Sequence, residues 1–119
     1  MQTRTLRGAL FENLVVAEAV KWFWHRGRRA ALHFYRDSDG NEIDLLLERH
    51  DGVFPVEIKA GETVNPDYFR GLRAFARLYE RPPPNGGAIV YGGAHDQVRQ
   101  ETMVVPVARA HELFAAIAG

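Results

Sequence analysis

Residues 52–63, GVFPVEIKAGET, decide the fold because they combine a strand with charged side chains. Valine, phenylalanine and isoleucine favour a β-strand in the first half, and Gly61 ends the run. Glu57 and Lys59 interrupt the strand two residues apart, so their side chains are predicted to share one face of the sheet. Such a pair is either a salt bridge on a solvent-facing surface or part of a functional site.

Hydrophobic periodicity predicts further elements on both sides of this strand. The strand before it and the one before that are joined by short turns, which favours an antiparallel arrangement of the first three strands. A helix and another strand follow, so a crossover should make two strands parallel neighbours at the centre of the sheet. We expect an α/β fold with a mixed sheet of four or five strands flanked by helices. The predicted helices are 8–25, 66–80 and 107–117, and the predicted strands are 32–36, 42–48, 53–59, 88–91 and 103–107.

The composition excludes several classes of function. Fifteen basic and fifteen acidic side chains balance, so any affinity for nucleic acid would need a local patch. The absence of cysteine excludes thiolate catalysis, disulfides and cysteine-ligated zinc. No apolar run approaches the roughly 20 residues of a membrane-spanning helix. We expect the 119 residues to form one domain, 1–119, in the cytoplasm, with no membrane partner.

The register between the second and third strands determines whether two carboxylates meet. We predict that Glu48 pairs with Val53 across the turn that joins these strands. In that register Asp44 lies directly opposite Glu57, an arrangement that is destabilising unless a cation compensates it. A slip of two residues would instead place Asp44 opposite Lys59 in an ordinary cross-strand ion pair, and the strand pattern alone favours this structural explanation.

The first helix contributes a third acidic residue. Glu12 has apolar residues at offsets of three, four, seven, eight and eleven, so it lies on a face that is otherwise apolar. A carboxylate directed towards a core needs a partner. The alternative is an acid near the helix start that is stabilised by the helix dipole.

These features together resemble the PD-(D/E)XK nuclease superfamily: an acid on the first helix, Asp44, then Glu57-x-Lys59, and a crossover helix and strand. The resemblance spans nearly the whole chain and implies a restriction-endonuclease-like fold. It also implies that Asp44 and Glu57 ligate Mg²⁺ or Mn²⁺, with the backbone carbonyl of Ile58 as a further ligand. Lys59 would be the catalytic lysine, and Glu12 would hold a water or a ligand of the metal.

A narrower resemblance is carried by the segments GALFENLVVAEAVKW (8–22), FYRDSDGNEIDLLLE (34–48) and VFPVEIKAGET (53–63). They resemble the C-terminal domain of unknown function, group 4143, that follows the ATPase core in prokaryotic AAA-type ATPases. The expected partners are therefore that ATPase domain, DNA and, as an alternative, a second copy of the chain. The leading hypothesis is a Mg²⁺-dependent nuclease-like module that acts on DNA phosphodiesters. The alternative is a catalytically inactive regulatory or protein-interaction domain that keeps the nuclease fold.

The second predicted helix carries a basic stripe. Arg70, Arg73 and Arg77 lie at offsets of three and seven, so they share one side of the helix. This stripe is a candidate nucleic-acid-binding surface. A solvated helix face and a docking surface for the ATPase domain are the alternatives.

Overall fold

The computed structural model describes residues 3–27, 32–49, 52–78 and 87–118. Short 3₁₀ turns at Pro66–Phe69 and Val107–Arg109 precede the second and third helices. None of the helices in these ranges is both long and apolar enough to cross a membrane. The elements in chain order are α1 (Thr3–His25), β1 (Leu32–Arg36), β2 (Glu42–Arg49), β3 (Gly52–Lys59), α2 (Arg70–Leu78), β4 (Ala88–Tyr91), β5 (Gln97–Arg99), β6 (Thr102–Pro106) and α3 (Ala110–Ala118).

Helix boundaries differ from the prediction at their first turns. The first helix begins at Thr3 rather than at residue 8, and Gly8 lies inside it. Before α2, the Asn65 side chain accepts a hydrogen bond from the Asp67 backbone N–H at 2.9 Å, which caps the 3₁₀ turn in front of the helix. The predicted end of that helix, 79–80, lies outside the described residues.

The six strands form one mixed sheet in the order β1-β2-β3-β4-β6-β5. The first three strands are antiparallel, β3 and β4 are parallel across the α2 crossover, and β6 is parallel to β4. The central parallel pair is therefore confirmed. The strand count of four or five was wrong, because β5 has three residues and a single apolar side chain, Val98, that is 74% exposed. Such a segment has no alternating pattern to detect.

Helices cover both faces of the sheet, with α1 and α3 on one face and α2 on the other. Successive residues of β4 alternate between the two cores, as expected for a strand that is buried on both sides. The core under α1 and α3 contains Val15, Ala19, Phe23, Leu45, Leu47, Phe54, Val56, Ile58, Ala88, Val90, Ala110, Leu113, Phe114 and Ile117. The core under α2 contains Ile43, Phe69, Leu72, Phe75, Ile89, Tyr91 and Val104.

β2 contains one more residue than the part of β1 with which it pairs. The register between these strands shifts between His33 and Tyr35. Two residues of β2, Asp44 and Leu45, therefore lie opposite the single residue Phe34, which is the arrangement of a β-bulge. Bulges of this kind change the direction of the side chains that they carry.

The bulge reverses the face on which β2 buries its apolar residues. Ile43 packs in the core under α2, whereas Leu45 packs in the core under α1 and α3. Residues two apart in a regular strand would share a face. The reversal occurs at Asp44, so the bulge sets the direction of this carboxylate.

A glycine in α2 permits close approach to β2 just before the bulge. A Cβ atom at Gly71 would meet the backbone carbonyl of Glu42 and would lie 3.4 Å from Ile43 Cδ1. Gly8 in α1 has no atom within 4 Å of the corresponding position. The packing of α2 against the start of β2 therefore depends on Gly71.

We expect Gly71→Ala to lower the free energy of unfolding by about 1–3 kcal/mol, because the added methyl group displaces α2 from β2. The matched control Gly8→Ala should raise it by about 0.5–1 kcal/mol, because alanine is the better helix former. Urea unfolding of both variants measures these changes. A neutral or stabilising effect of Gly71→Ala would contradict the close approach.

Candidate functional site

The pairing of β2 with β3 has the predicted register, in which Glu48 lies opposite Val53. The slipped alternative is therefore wrong. The ladder ends one pair before Asp44 and Glu57. These two carboxylates lie where the strands separate.

Beyond the last pair, each carboxylate accepts a hydrogen bond from the backbone of the opposite strand. Glu57 Oε1 accepts from the Asp44 N–H at 3.0 Å, and Asp44 Oδ2 accepts from the Ile58 N–H at 2.8 Å. Side-chain oxygens thus replace the carbonyl acceptors of a regular ladder. Leaving one such buried N–H unpaired costs about 1–3 kcal/mol. The crossed bonds therefore help to hold β2 and β3 at their separation.

Lys59 is positioned against this pair from the end of β3. Its Nζ lies 3.5 Å from Glu57 Oε2 and 5.8 Å from the centroid of the Tyr68 ring. Glu57 is only 4% exposed. Lys59 therefore contacts a buried carboxyl group, and the pair is not a salt bridge on a solvent-facing surface.

The environment of Glu57 opposes its ionisation. Burial and the neighbouring Asp44 carboxylate raise the pKa of Glu57 to about 8. The Lys59 ammonium and the Asp44 N–H act in the opposite direction without offsetting them. Two neighbouring carboxyl groups that interact in this way favour the uptake of one proton or one cation.

Glu12 approaches the same group from α1. Burial raises the pKa of Glu12, with further contributions from the charges of Asp44 and Glu42. These three acids line a cavity of about 110 Å³. Asp44 lines the cavity and also accepts the hydrogen bond from β3. Glu12 lies near it, and the apolar face of α1 predicted only that Glu12 is directed towards the core.

Two charged residues at this cavity, Arg36 and Glu42, were not predicted as site residues. Arg36 lines the cavity, and its Nη2 lies 2.7 Å from Glu42 Oε1. Glu42 precedes Asp44 by two residues on the same predicted strand, and this spacing could have indicated that Glu42 lies near the site. The sequence around Arg36 does not indicate a site, because Arg36 is brought next to Glu42 only by the pairing of β1 with β2.

The basic stripe of α2 is exposed, but its members differ in their contacts. Arg73 Nη1 donates a hydrogen bond to Gln100 Oε1 at 2.8 Å. In the described ranges, no hydrogen bond or ion pair joins Arg70, Arg73 or Arg77 to the carboxylates of the site. The role of this stripe in nucleic-acid binding stays a prediction.

The donor atoms of the site are oxygens. Within the described part of the chain, no three His, Cys, Asp or Glu side chains are arranged to hold one metal ion. A cation between Asp44 and Glu57 would therefore take its remaining ligands from water and backbone oxygens, which is typical of Mg²⁺. Three carboxyl groups, those of Glu12, Asp44 and Glu57, lie close to the single Lys59 ammonium, and the pKa values of Glu12 and Glu57 are raised because burial and the neighbouring charges make a full set of negative charges unfavourable there. The ligand roles of Asp44, Glu57 and the Ile58 carbonyl stay predictions.

A family model matches most of the chain. The family is described as a domain of unknown function, DUF4143, and the match covers residues 7–110 of 119. The matched range includes every acidic residue of the site and Lys59. No curated protein and no solved structure matches the chain.

The raised pKa of Glu57 predicts that stability depends on pH. The unfolded chain has the ordinary value of 4.5, so the folded state keeps its proton to higher pH. The resulting stabilisation is fully present below about pH 4.5 and is lost as the pH rises through about 8. We therefore expect the free energy of unfolding to fall across this window.

Glu57→Gln should reduce this fall by at least about 1.4 kcal/mol, the equivalent of one pKa unit. Glutamine keeps an oxygen acceptor for the Asp44 N–H but does not titrate. Urea unfolding at several pH values measures the difference, and Glu18→Gln in the exposed pair with Lys21 is the matched control. The same pH dependence in wild type and Glu57→Gln would show that Glu57 does not titrate as described.

Proposed function

Because the chain belongs to the DUF4143 family of domains of unknown function, we propose its function from its own site: a metal-dependent, nuclease-like module of the PD-(D/E)XK type that acts on DNA phosphodiesters. The observation that carries this proposal is the meeting of Asp44, Glu57 and Lys59 where β2 separates from β3. The order of elements along the chain also supports a restriction-endonuclease-like fold: a helix that carries Glu12, three antiparallel strands, and a crossover helix that leads to a parallel strand.

Asp44 and Glu57 are the residues that would hold Mg²⁺ or Mn²⁺, with the Ile58 carbonyl as a further ligand. Their oxygen donors suit these hard cations. The cation supplies Lewis acidity at a phosphate oxygen. Glu57 is only 4% exposed and has a raised pKa, so this residue gains most from a nearby positive charge.

Lys59 would stabilise the negative charge that develops on the phosphate. Its ammonium is held between Glu57 and the face of Tyr68 and is partly shielded, with 34% of the side chain exposed. A charge that is fixed in such a site acts more strongly than one in bulk water. Lys59 can also orient the water that attacks the phosphorus atom.

Glu12 is the candidate for proton transfer. Hydrolysis of a phosphodiester requires the attacking water to lose a proton while the leaving oxygen gains one. Burial and the charge of Asp44 raise the pKa of Glu12, and a carboxylate with a higher pKa is a stronger base. Its position near Asp44 supports a role in activating that water.

A protein partner is supported by the outward side of α1. We propose that the partner is the ATPase domain of a AAA-type ATPase, with this chain as its C-terminal part in the cytoplasm. An exposed apolar patch on a folded protein commonly marks an interaction surface. The exposed apolar side chains of α1 are Leu6, Leu10, Leu14, Val20 and Trp24, with exposures from 40% to 76%.

This outward side of α1 also favours the second candidate function, a catalytically inactive regulatory or protein-interaction domain. In that case the crossed bonds of Asp44 and Glu57 would serve only to hold the two strands. The fold would then be retained for its surface rather than for its chemistry. Cleavage measurements separate the two candidates.

We expect the wild-type chain to cleave plasmid or branched DNA in the presence of Mg²⁺ or Mn²⁺. Asp44→Asn and Lys59→Ala should each lower the rate by on the order of 10²-fold or more, because each removes charge that acts on the reacting phosphate. Asparagine keeps an oxygen acceptor for the Ile58 N–H, and urea unfolding confirms that the variants are folded.

Glu18→Gln is the control for contaminating nuclease and for the loss of one negative charge, because Glu18 lies in an exposed pair on α1. It should cleave at the wild-type rate. Equal background cleavage by the wild type and all three variants would contradict the nuclease proposal and favour the interaction domain.

A further inference from the structure

A cavity of about 900 Å³ adjoins the site beside α1. In the described part of the chain it is lined by Arg7, Phe11, the loop 60–63 and Gly92. The loop follows directly after Lys59 at the end of β3, and Gly92 follows the end of the parallel strand β4. The carboxyl ends of parallel strands are the usual place for ligands in open α/β sheets.

Two glycines, Gly61 and Gly92, lie in the lining of this cavity. The Gly92 N–H donates a hydrogen bond to the Gly61 carbonyl at 3.0 Å, which ties the two loops together. A Cβ atom at Gly92 would meet the Ala60 carbonyl, and one at Gly61 would meet the Tyr68 hydroxyl. The loop at Gly92 can approach the Ala60 backbone this closely only because position 92 is glycine.

α1 presents one cation and one aromatic ring to the cavity. Arg7 and Phe11 are four residues apart and therefore share a side of the helix. Arg7 is exposed, lines the cavity and makes no ion pair or hydrogen bond with the described residues. A guanidinium is well suited to bind a phosphate. Phe11 packs partly against the core and is half-buried. Its partial exposure leaves ring surface towards the cavity.

We infer that this cavity binds an unpaired nucleotide next to the bond that is cleaved, with Arg7 on its phosphate and Phe11 stacked on its base. This binding role rests on the proposed nuclease function, because the cavity begins directly after Lys59. A guanidinium beside an aromatic ring is the combination that recognises single-stranded nucleic acid. A base within a duplex is stacked on its neighbours and is not accessible to Phe11.

Glu62 lines the same cavity and opposes an anionic ligand. Its carboxylate is exposed, so it limits affinity without preventing binding. Arg7 and Glu62 thus act in opposite directions on the same phosphate. Substitution of Arg7 should therefore weaken nucleotide binding, whereas neutralisation of Glu62 should strengthen it.

The test is fluorescence anisotropy with a labelled oligothymidylate of roughly 12 nucleotides, a length within the range of single-strand binding sites. The buffer contains EDTA, so binding is measured without divalent metal. We expect Arg7→Ala to weaken binding about tenfold and to lower the salt slope by about 0.7, the value for one phosphate contact on a single strand. Glu62→Gln should strengthen binding by about twofold to fivefold.

Phe11→Leu should weaken binding about fivefold or more, because it removes stacking while it keeps an apolar side chain against the core. Lys21→Ala is the matched control for Arg7→Ala. It removes an exposed cation from the same helix, 14 residues further along. It should change the affinity less than twofold.

Equal affinity of wild type and Arg7→Ala would overturn the nucleotide site, as would tighter binding of a duplex than of the single strand. DNA cleavage by the wild type would then still support the proposed function. Conversely, loss of binding in Arg7→Ala without cleavage by the wild type would support the nucleotide site and reject the nuclease activity. The two proposals can therefore fail separately.

Discussion

The structure depends on a pair of crossed hydrogen bonds between two strands that have begun to separate. Asp44 accepts the backbone N–H of Ile58, and Glu57 accepts the backbone N–H of Asp44. In a regular ladder these N–H groups would bond to carbonyl oxygens, and the carboxylates would not be needed between the strands. Here the carboxylates hold the opening, so the acids that form the candidate site are also part of the structure that positions it.

This arrangement costs stability, because it places two acids together in a nearly buried position. Burial and Asp44 raise the pKa of Glu57 to about 8, and the Lys59 ammonium does not offset them. A proton or a cation therefore has to neutralise the pair. A purely structural role would be filled as well by uncharged acceptors, such as Asn or Gln, at lower electrostatic cost. Two carboxylates beside a lysine thus carry an electrostatic cost that a proton or the proposed cation would relieve.

Much of this arrangement followed from the sequence, because it depended on local rules. The order of strand, helix and strand predicted that β3 and β4 are parallel. The strand pattern alone favoured the slipped pairing of β2 with β3 over the observed register of Glu48 with Val53. The bulge at Asp44 could not be predicted, since it arises from pairing with β1 and has no glycine or other local signal. The cavity beside Arg7 was missed for a similar reason: α1 extends back to Thr3, past the residue at which the apolar pattern began.

The claim that Asp44 and Glu57 form a divalent-cation site is tested most directly by electron paramagnetic resonance of Mn²⁺, which measures free and bound ion without requiring cleavage. The proposed function predicts about one bound Mn²⁺ per wild-type chain. It also predicts that this binding is lost in Asp44→Asn, whose asparagine keeps the acceptor for the Ile58 N–H while removing the charge. Absence of Mn²⁺ binding by the folded wild type, or equal binding by Asp44→Asn, would contradict the account.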